Sequence, residues 1–300
     1  MEPIVGMLNI QIAATGAVES MSLQLPLIDF IILIFATVSI TAGGYVINDY
    51  FDIRTDLINR GEVIVGTKIT RRKAMMWHNL LNIAGVLAGF YISYRIGYFW
   101  IGLIFMIVSG LLYFYSATYK RQFLIGNIIV ALLTAMVPLM VLAFEIPVLY
   151  GHYSQIAISM PSLSIVAYWV GGFALFAFLT TLAREVIKDM EDFDGDKAYG
   201  TNSLPVVAGI LVSKIVVISI QLVTLVLLIL TWKLFLHDNL TLIYMSVALL
   251  VPLLLSLITN IRGETHSHFH RASLYMKFAM LGGIFYSVLV CFIIEKGVLF

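Results

Sequence analysis

Apolar runs of a length suited to crossing a bilayer, about 20 residues each, recur along the chain and are separated by short polar stretches. They predict nine helices: Pro3 to Val18, Leu25 to Tyr50, Ala74 to Tyr94, Tyr98 to Ser116, Phe123 to Ile146, Ser164 to Ala183, Val206 to Trp232, Leu240 to Thr259 and Ala272 to Ile294. The first is short and carries Asn9 and Gln11. The second, at about 1.5 Å per residue, is longer than a hydrocarbon core of about 30 Å, so its polar end emerges at the interface. The fold this predicts is all-α: a polytopic membrane helical bundle of about nine transmembrane helices around a central cavity. No linker rich in Pro, Gly or Ser divides it, and no internal repeat is visible. A single domain over residues 1–300 is the economical reading.

Composition strengthens this picture. Apolar residues make up 61% of the 300 and charged residues 12%, an excess that a soluble core does not need. A net charge of +1 supplies no global field for nucleic acid or another polyanion. The one cysteine, Cys291, rules out an internal disulfide framework and a thiolate metal cluster. The start, Met1-Glu2-Pro3, lacks the basic region of a cleaved signal peptide, so the first apolar stretch is expected to stay.

Charge placement then sets orientation. If the loop after the second helix is cytoplasmic, alternate loops on that side hold 13 of the 18 Lys and Arg residues, against Arg95, Lys233 and Lys296 outside. By the positive-inside tendency this puts the polar ends of helices two and six in the cytoplasm and the chain in the cell membrane.

Those polar ends carry the candidate chemistry. Nine of the 17 acidic residues lie in two segments, three between positions 49 and 56 and six between 185 and 196. In the first, Asn48, Asp52 and Asp56 fall at i, i+4 and i+8 of a continuing helix, with Asp49 beside Asp52. In the second, Asp189, Asp192 and Asp196 fall at i, i+3 and i+7, one face as far as Gly195 permits. Three such carboxylates exposed to lipid would cost roughly 7 to 10 kcal/mol on insertion scales, so a wet cavity holding cations is the expected setting. Asp194 and Glu191 lie off the shared face and read as surface charge. Oxygen donors with no nearby Cys or His suit a hard cation such as Mg²⁺, which keeps waters and bridges to substrate phosphates.

Bases accompany both segments. Arg54, Arg60 and Lys68 follow the first, Arg184 and Lys188 belong to the second, and Lys120 and Arg121 end the fourth helix after Tyr115-Ser116-Ala117-Thr118-Tyr119. These are the candidate diphosphate-binding groups, whereas Arg72 and Lys73 read as positive-inside residues. His266, His268 and His270 sit in what reads as a short polar loop and are taken as interface histidines. Abundant Phe, Tyr, Trp and Met between the segments would suit a long hydrocarbon tail.

With these motifs in hand, the sequence resembles the UbiA-type superfamily of intramembrane prenyltransferases. Its first signature, Asn-Asp-x-x-Asp-x-x-x-Asp, matches at Asn48, Asp49, Asp52 and Asp56, and its second, Asp-x-x-x-Asp, at Asp192 and Asp196, extended by Asp189. Lys120 and Arg121 resemble the family's basic element after helix four. The run from Arg184 to Asp196, followed by Gly200-Thr-Asn-Ser-Leu-Pro205, looks most like the digeranylgeranylglyceryl phosphate synthase branch.

That resemblance implies an enzyme that moves a geranylgeranyl group from its diphosphate to the hydroxyl of geranylgeranylglyceryl phosphate. It implies two Mg²⁺ ions held by the Asn and Asp residues of both signatures, with Asp49, Asp52, Asp189 and Asp192 as the catalytic carboxylates. Its partners are a prenyl diphosphate donor, a lipid-like hydroxyl acceptor and membrane lipids, with no nucleic acid. Two departures stand out. Arg60-Gly-Glu-Val63 replaces the family's Arg-Pro-x-Arg-Pro run, and no basic residue stands beside Asn9. The alternatives are an aromatic-acceptor prenyltransferase of a quinone pathway and, outside enzymes, a cation transporter. A CDP-alcohol phosphotransferase would need Asp-Gly-x-x-Ala-Arg, and Asp194-Gly195 is followed by Asp-Lys-Ala-Tyr.

Overall fold

Large apolar side chains cover the outside of the molecule as well as filling its interior, where small and polar residues join them, unlike a soluble bundle with its polar exterior. Leu27, Ile34, Phe35 and Val38 of one helix are exposed while its Ala36, Ser39, Ile40 and Gly43 are buried. Lipid supplies no hydrophobic drive between helices, so close backbone approach and interhelical hydrogen bonds hold them together. The computed structural model describes residues 24–53, 56–57, 63–153 and 164–295. Helix Pro3 to Val18, Arg54 and Arg60 lie outside the described residues.

Eleven α-helices are described: α1 Leu27–Phe51, α2 Arg71–Arg95, α3 Leu103–Ala117, α4 Ile125–Tyr153, α5 Ser164–Glu191, α6 Phe193–Ala198, α7 Leu204–Ala208, α8 Ile210–Thr231, α9 Asn239–Tyr244, α10 Val251–Arg262 and α11 His266–Glu295. Among the described residues eight helical stretches are long and apolar enough to cross a membrane; π-helical turns extend α8 to Leu236 and join α9 to α10. The fold is therefore an all-α polytopic membrane bundle.

Three boundaries differ from expectation. α4 runs to Tyr153 rather than Ile146, taking Pro147 into the helix. α5 runs to Glu191 rather than Ala183, so most of the second acidic segment is helical. α11 starts at His266, so the three histidines lie on a helix and not in a loop. In each case the helix carries polar residues beyond its apolar run, a continuation that hydrophobicity alone does not signal.

The spans associate as α1 with α2 and α3, α4 with α5, and α5 with α8 and α11. Gly85 shows why α1 and α2 come so close: a Cβ there would stand 2.6 Å from Ile40 and 2.9 Å from the Ala36 carbonyl. A buried polar set locks the same pair. The His78 Nδ1–H donates to the Gly43 carbonyl (2.9 Å), and Asn82 bonds the His78 carbonyl (2.8 Å) while accepting from Ser109 of α3 (2.6 Å). Gly43 is little more than one turn before Asn48, so these bonds also set the height of the first acidic segment. A second buried set, Gln221 to Ser256 (2.9 Å) and Ser256 to the Ala272 carbonyl (3.0 Å), ties α8, α10 and α11.

Candidate active site

Both acidic segments line one cavity at the same end of the bundle. Its walls are Asp52, Asp56, Tyr115, Lys120, Arg121, Asn127, Glu185, Lys188, Asp189, Asp192, Asp196 and Thr201. The enclosed space is about 40 Å³, room for ions and waters only. Six of the lining groups are carboxylates and three are bases.

The first segment arrives on the end of α1. Asp52 caps that helix, its N–H bonded to the Asn48 carbonyl, and the Asp56 N–H bonds the Asp52 carbonyl at 2.9 Å. Helical hydrogen bonding thus carries across the motif and supports the i, i+4, i+8 alignment. Asp52 is buried and ion-paired to Lys120, which also reaches the Asn48 Oδ1 at 3.4 Å. Asn48 and Asp49 are half-buried and stand outside the cavity lining.

The second segment passes from α5 into α6. Asp192 lies between the two helices, its N–H on the Lys188 carbonyl (2.9 Å), and the Asp196 N–H bonds the Asp192 carbonyl (3.0 Å). Gly195 is buried within α6 and does not break the turn. Asp189, Asp192 and Asp196 consequently share the cavity face. Asp194 is exposed and Glu191 points elsewhere, to His270 (2.7 Å) and His266 (3.9 Å). Two of the three histidines therefore brace the outside of α5.

A one-turn helix at Tyr119–Arg121 brings in the bases. Gly126, at the start of α4, allows it: a Cβ there would stand 2.8 Å from the Lys120 Cα and 2.9 Å from the Tyr119 carbonyl. Leu124 takes a left-handed φ of 56° in the same turn. The Arg121 carbonyl accepts from the Asn202 N–H (2.9 Å), joining this element to the chain that follows the second segment. Of the expected diphosphate-binding groups, Lys120, Arg121 and Lys188 line the cavity. Arg184 lies beside it, paired to Glu185. Lys68 sits on an exposed turn and is not brought in.

Charge in the cavity is crowded. Burial holds the Asp192 and Asp196 carboxyls above the ordinary carboxylate range. Burial acts to lower the Lys120 ammonium, but Asp52 beside it, with Asp56 and Asp192, more than offsets that and raises it. Sequence reasoning passed over Asn127, whose Nδ2 donates to Asp189 at 2.8 Å, and over Glu185 and Thr201. An amide alone in the apolar run Ile125 to Val130 was the available signal for Asn127. Among the described residues no three acidic or imidazole groups converge on one point closely enough to cage an ion unaided. The donor set is nonetheless all oxygen, and its excess of carboxylate calls for cations.

The chain matches the UbiA prenyltransferase family over residues 10–281. It is 35% identical over 208 residues to the digeranylgeranylglyceryl phosphate synthase of Thermococcus kodakarensis, covering 69% of this chain and 64% of that protein, just under two thirds of its length. The protein of the same name from Methanobrevibacter smithii is 30% identical over 267 residues, covering 88% and 87%. Two solved structures share the fold. One, described as digeranylgeranylglyceryl phosphate synthase in membranes, has a TM-score of 0.57 at 22% identity and covers 96% and 93%. The other, an apo UbiA homolog from Aeropyrum pernix K1, has a TM-score of 0.61 at 15% identity and covers 94% and 95%. A family match over that much of the chain makes the protein a member of the UbiA prenyltransferase family, near its digeranylgeranylglyceryl phosphate synthase branch.

Proposed function

We propose that the protein transfers a geranylgeranyl group from geranylgeranyl diphosphate to the hydroxyl of geranylgeranylglyceryl phosphate, releasing diphosphate, at the cytoplasmic face of the cell membrane. One observation carries the reading: two acidic segments far apart in the sequence, ending at Asp56 and beginning at Glu185, line a single cavity whose remaining charges are Lys120, Arg121 and Lys188. The name shared by the two relatives described above supports the choice of acceptor, and the distribution of basic residues supports the orientation.

Mg²⁺ fits the donor set, since it takes one or two carboxylates, keeps waters and binds substrate phosphate without needing a preformed three-ligand cage. Bound there, it would neutralise the departing diphosphate oxygens. Asp52, Asp56, Asp189, Asp192 and Asp196 would hold it, with Asn48 and Asp49 at the rim. Asn127 orients the Asp189 carboxylate. Lys120 is paired with Asp52 across the two walls that line the cavity; on substrate binding its ammonium would turn to phosphate, as Arg121 and Lys188 would. The prenyl tail leaves the cavity toward the apolar interior of the bundle.

Labelled geranylgeranyl diphosphate, supplied with geranylgeranylglyceryl phosphate or with 4-hydroxybenzoate, tests this. Ether product from the first acceptor alone, and only with Mg²⁺, is expected. Product from 4-hydroxybenzoate instead would move the protein to aromatic alkylation, and Mg²⁺-dependent cation flux without product would make it a transporter.

A further inference from the structure

Capture of an allylic group by a glyceryl hydroxyl requires that the hydroxyl proton go somewhere, and the two signatures name no acceptor for it. We propose that Glu185 is the general base that takes the proton from the acceptor hydroxyl. The proposal rests on the transfer reaction put forward above.

Five of the six carboxylates in the cavity belong to the two acidic signatures; Glu185 is the sixth. It precedes Asp189 by four residues on α5, hence on the same helix face and one turn, about 6 Å, further into the bundle. A diphosphate held between the signatures has its phosphates at their level and its first carbon on the membrane side, where the tail must lie. Glu185 therefore stands beside the reacting carbon, and the signature carboxylates stand beside the phosphates. Asn127 holds Asp189 from α4, whereas Glu185 is held from its own helix by its ion pair with Arg184. Arg184 does not line the cavity, so it secures Glu185 from the side. Tyr115 faces the same space from α3.

In the step proposed, the bond from the first prenyl carbon to the bridging oxygen breaks and its electron pair leaves with diphosphate. A lone pair of the hydroxyl oxygen forms the new ether bond to that carbon, and the hydroxyl proton passes to the Glu185 carboxylate. No oxidant or reductant enters.

The test separates bond cleavage from capture. Donor carrying ¹⁸O at the bridging position is incubated with Mg²⁺ and geranylgeranylglyceryl phosphate, and both ether product and movement of ¹⁸O into non-bridging positions are followed. In Glu185→Gln, ether formation is expected to fall about 100-fold or more, with ¹⁸O scrambling retained or increased because cleavage still occurs and reverses. Glu185→Asp, which keeps a carboxylate, is expected to recover part of the ether rate. Ether formation within about threefold of wild type in the Gln variant would overturn the assignment and leave diphosphate as the base. A parallel fall of ether and scrambling would also overturn it, placing Glu185 among the groups that ionise the donor. If the wild type itself makes no ether from this acceptor while still scrambling ¹⁸O, the transfer reaction fails and the proposal falls with it.

Discussion

At the end of the bundle away from the acidic segments, Asp29 meets Arg95 at 3.1 Å and Glu145 accepts from the Gln24 and Leu25 N–H groups at 2.7 and 3.2 Å. At the other end, six carboxylates share one cavity with three bases. Both ends bury acids: Asp29 and Glu145 are as inaccessible as Asp52. The end away from the acidic segments even has the wider cavity, about 410 Å³, lined by Asp29, Arg95 and His152 among others. Burial and cavity size therefore do not distinguish the two ends. Charge balance does. An acid answered by a guanidinium or by backbone donors is a structural device, whereas carboxylates left in excess are what the proposed binding of Mg²⁺ and diphosphate would require.

The sharpest way to break this comparison is to neutralise one acid of the crowded cluster. Asp192→Asn is expected to lower ether formation by about 10²- to 10³-fold, the scale of losing one group that stabilises developing charge. Metal-free protein should at the same time unfold at a temperature no lower than wild type, because a buried charge held above the ordinary carboxylate range has been removed. Transfer assays beside detergent-solubilised melting curves measure both. A drop in stability with full activity would put Asp192 in the same class as Asp29.

The opposite end should respond the other way. Glu145→Leu removes the acceptor shared by two backbone N–H groups at the start of α1, a loss of about 2 kcal/mol. Melting temperature is expected to fall by several degrees while activity per folded molecule stays near wild type. Loss of activity at unchanged stability would make that end part of the chemistry.

Much of this division could be read before any coordinates. The spacing of Asn48, Asp52 and Asp56 implied one helical face, and the backbone bonds from Asp52 to Asn48 and from Asp56 to Asp52 carry it. The i, i+3, i+7 spacing of Asp189, Asp192 and Asp196 likewise implied one face, and all three line the cavity with Asp52 and Asp56. Glu145 stands one residue before the expected end of its helix, but hydropathy gave no sign that α4 carries on to Tyr153 or that this carboxylate turns inward to hold the chain just ahead of α1. Asn127 escaped notice because it belongs to the site through Asp189, a neighbour in space, and Glu185 because the spacing argument began at Asp189, four residues after it. Lys68 shows the reverse error: a base close in sequence to the first segment sits on an exposed turn.

A smaller effect tests how the bases are held. Gly126→Ala would put a Cβ 2.8 Å from the Lys120 Cα, and backbone at that distance must move. Lys120 would then shift relative to Asp52, and the Michaelis constant for the prenyl donor is expected to rise about tenfold with kcat less affected. An unchanged Michaelis constant would mean that the Lys120 side chain, with its four rotatable bonds, reaches phosphate regardless of where its backbone lies.

The smallest expected effect is on the pH dependence of stability without metal, and its sign is opposite to that of most buried acids. A carboxyl raised in the folded state binds its proton more tightly there than in the unfolded chain. Asp192 and Asp196 are both raised, with burial the largest cause in each. Below the ordinary carboxylate range both states are protonated and these groups contribute nothing. As pH climbs through that range the unfolded chain ionises first, so the folded state loses stability until its own carboxyls ionise, after which the penalty is constant. Melting temperature of the metal-free protein should therefore decline from mildly acidic toward neutral pH, and Asp192→Asn should flatten the decline. Added Mg²⁺ should reverse it, since a bound cation favours the ionised forms. A metal-free protein that instead gains stability over the same pH interval would show that these carboxylates are already balanced within the protein, as Asp29 is by Arg95, and the contrast between the two ends would disappear.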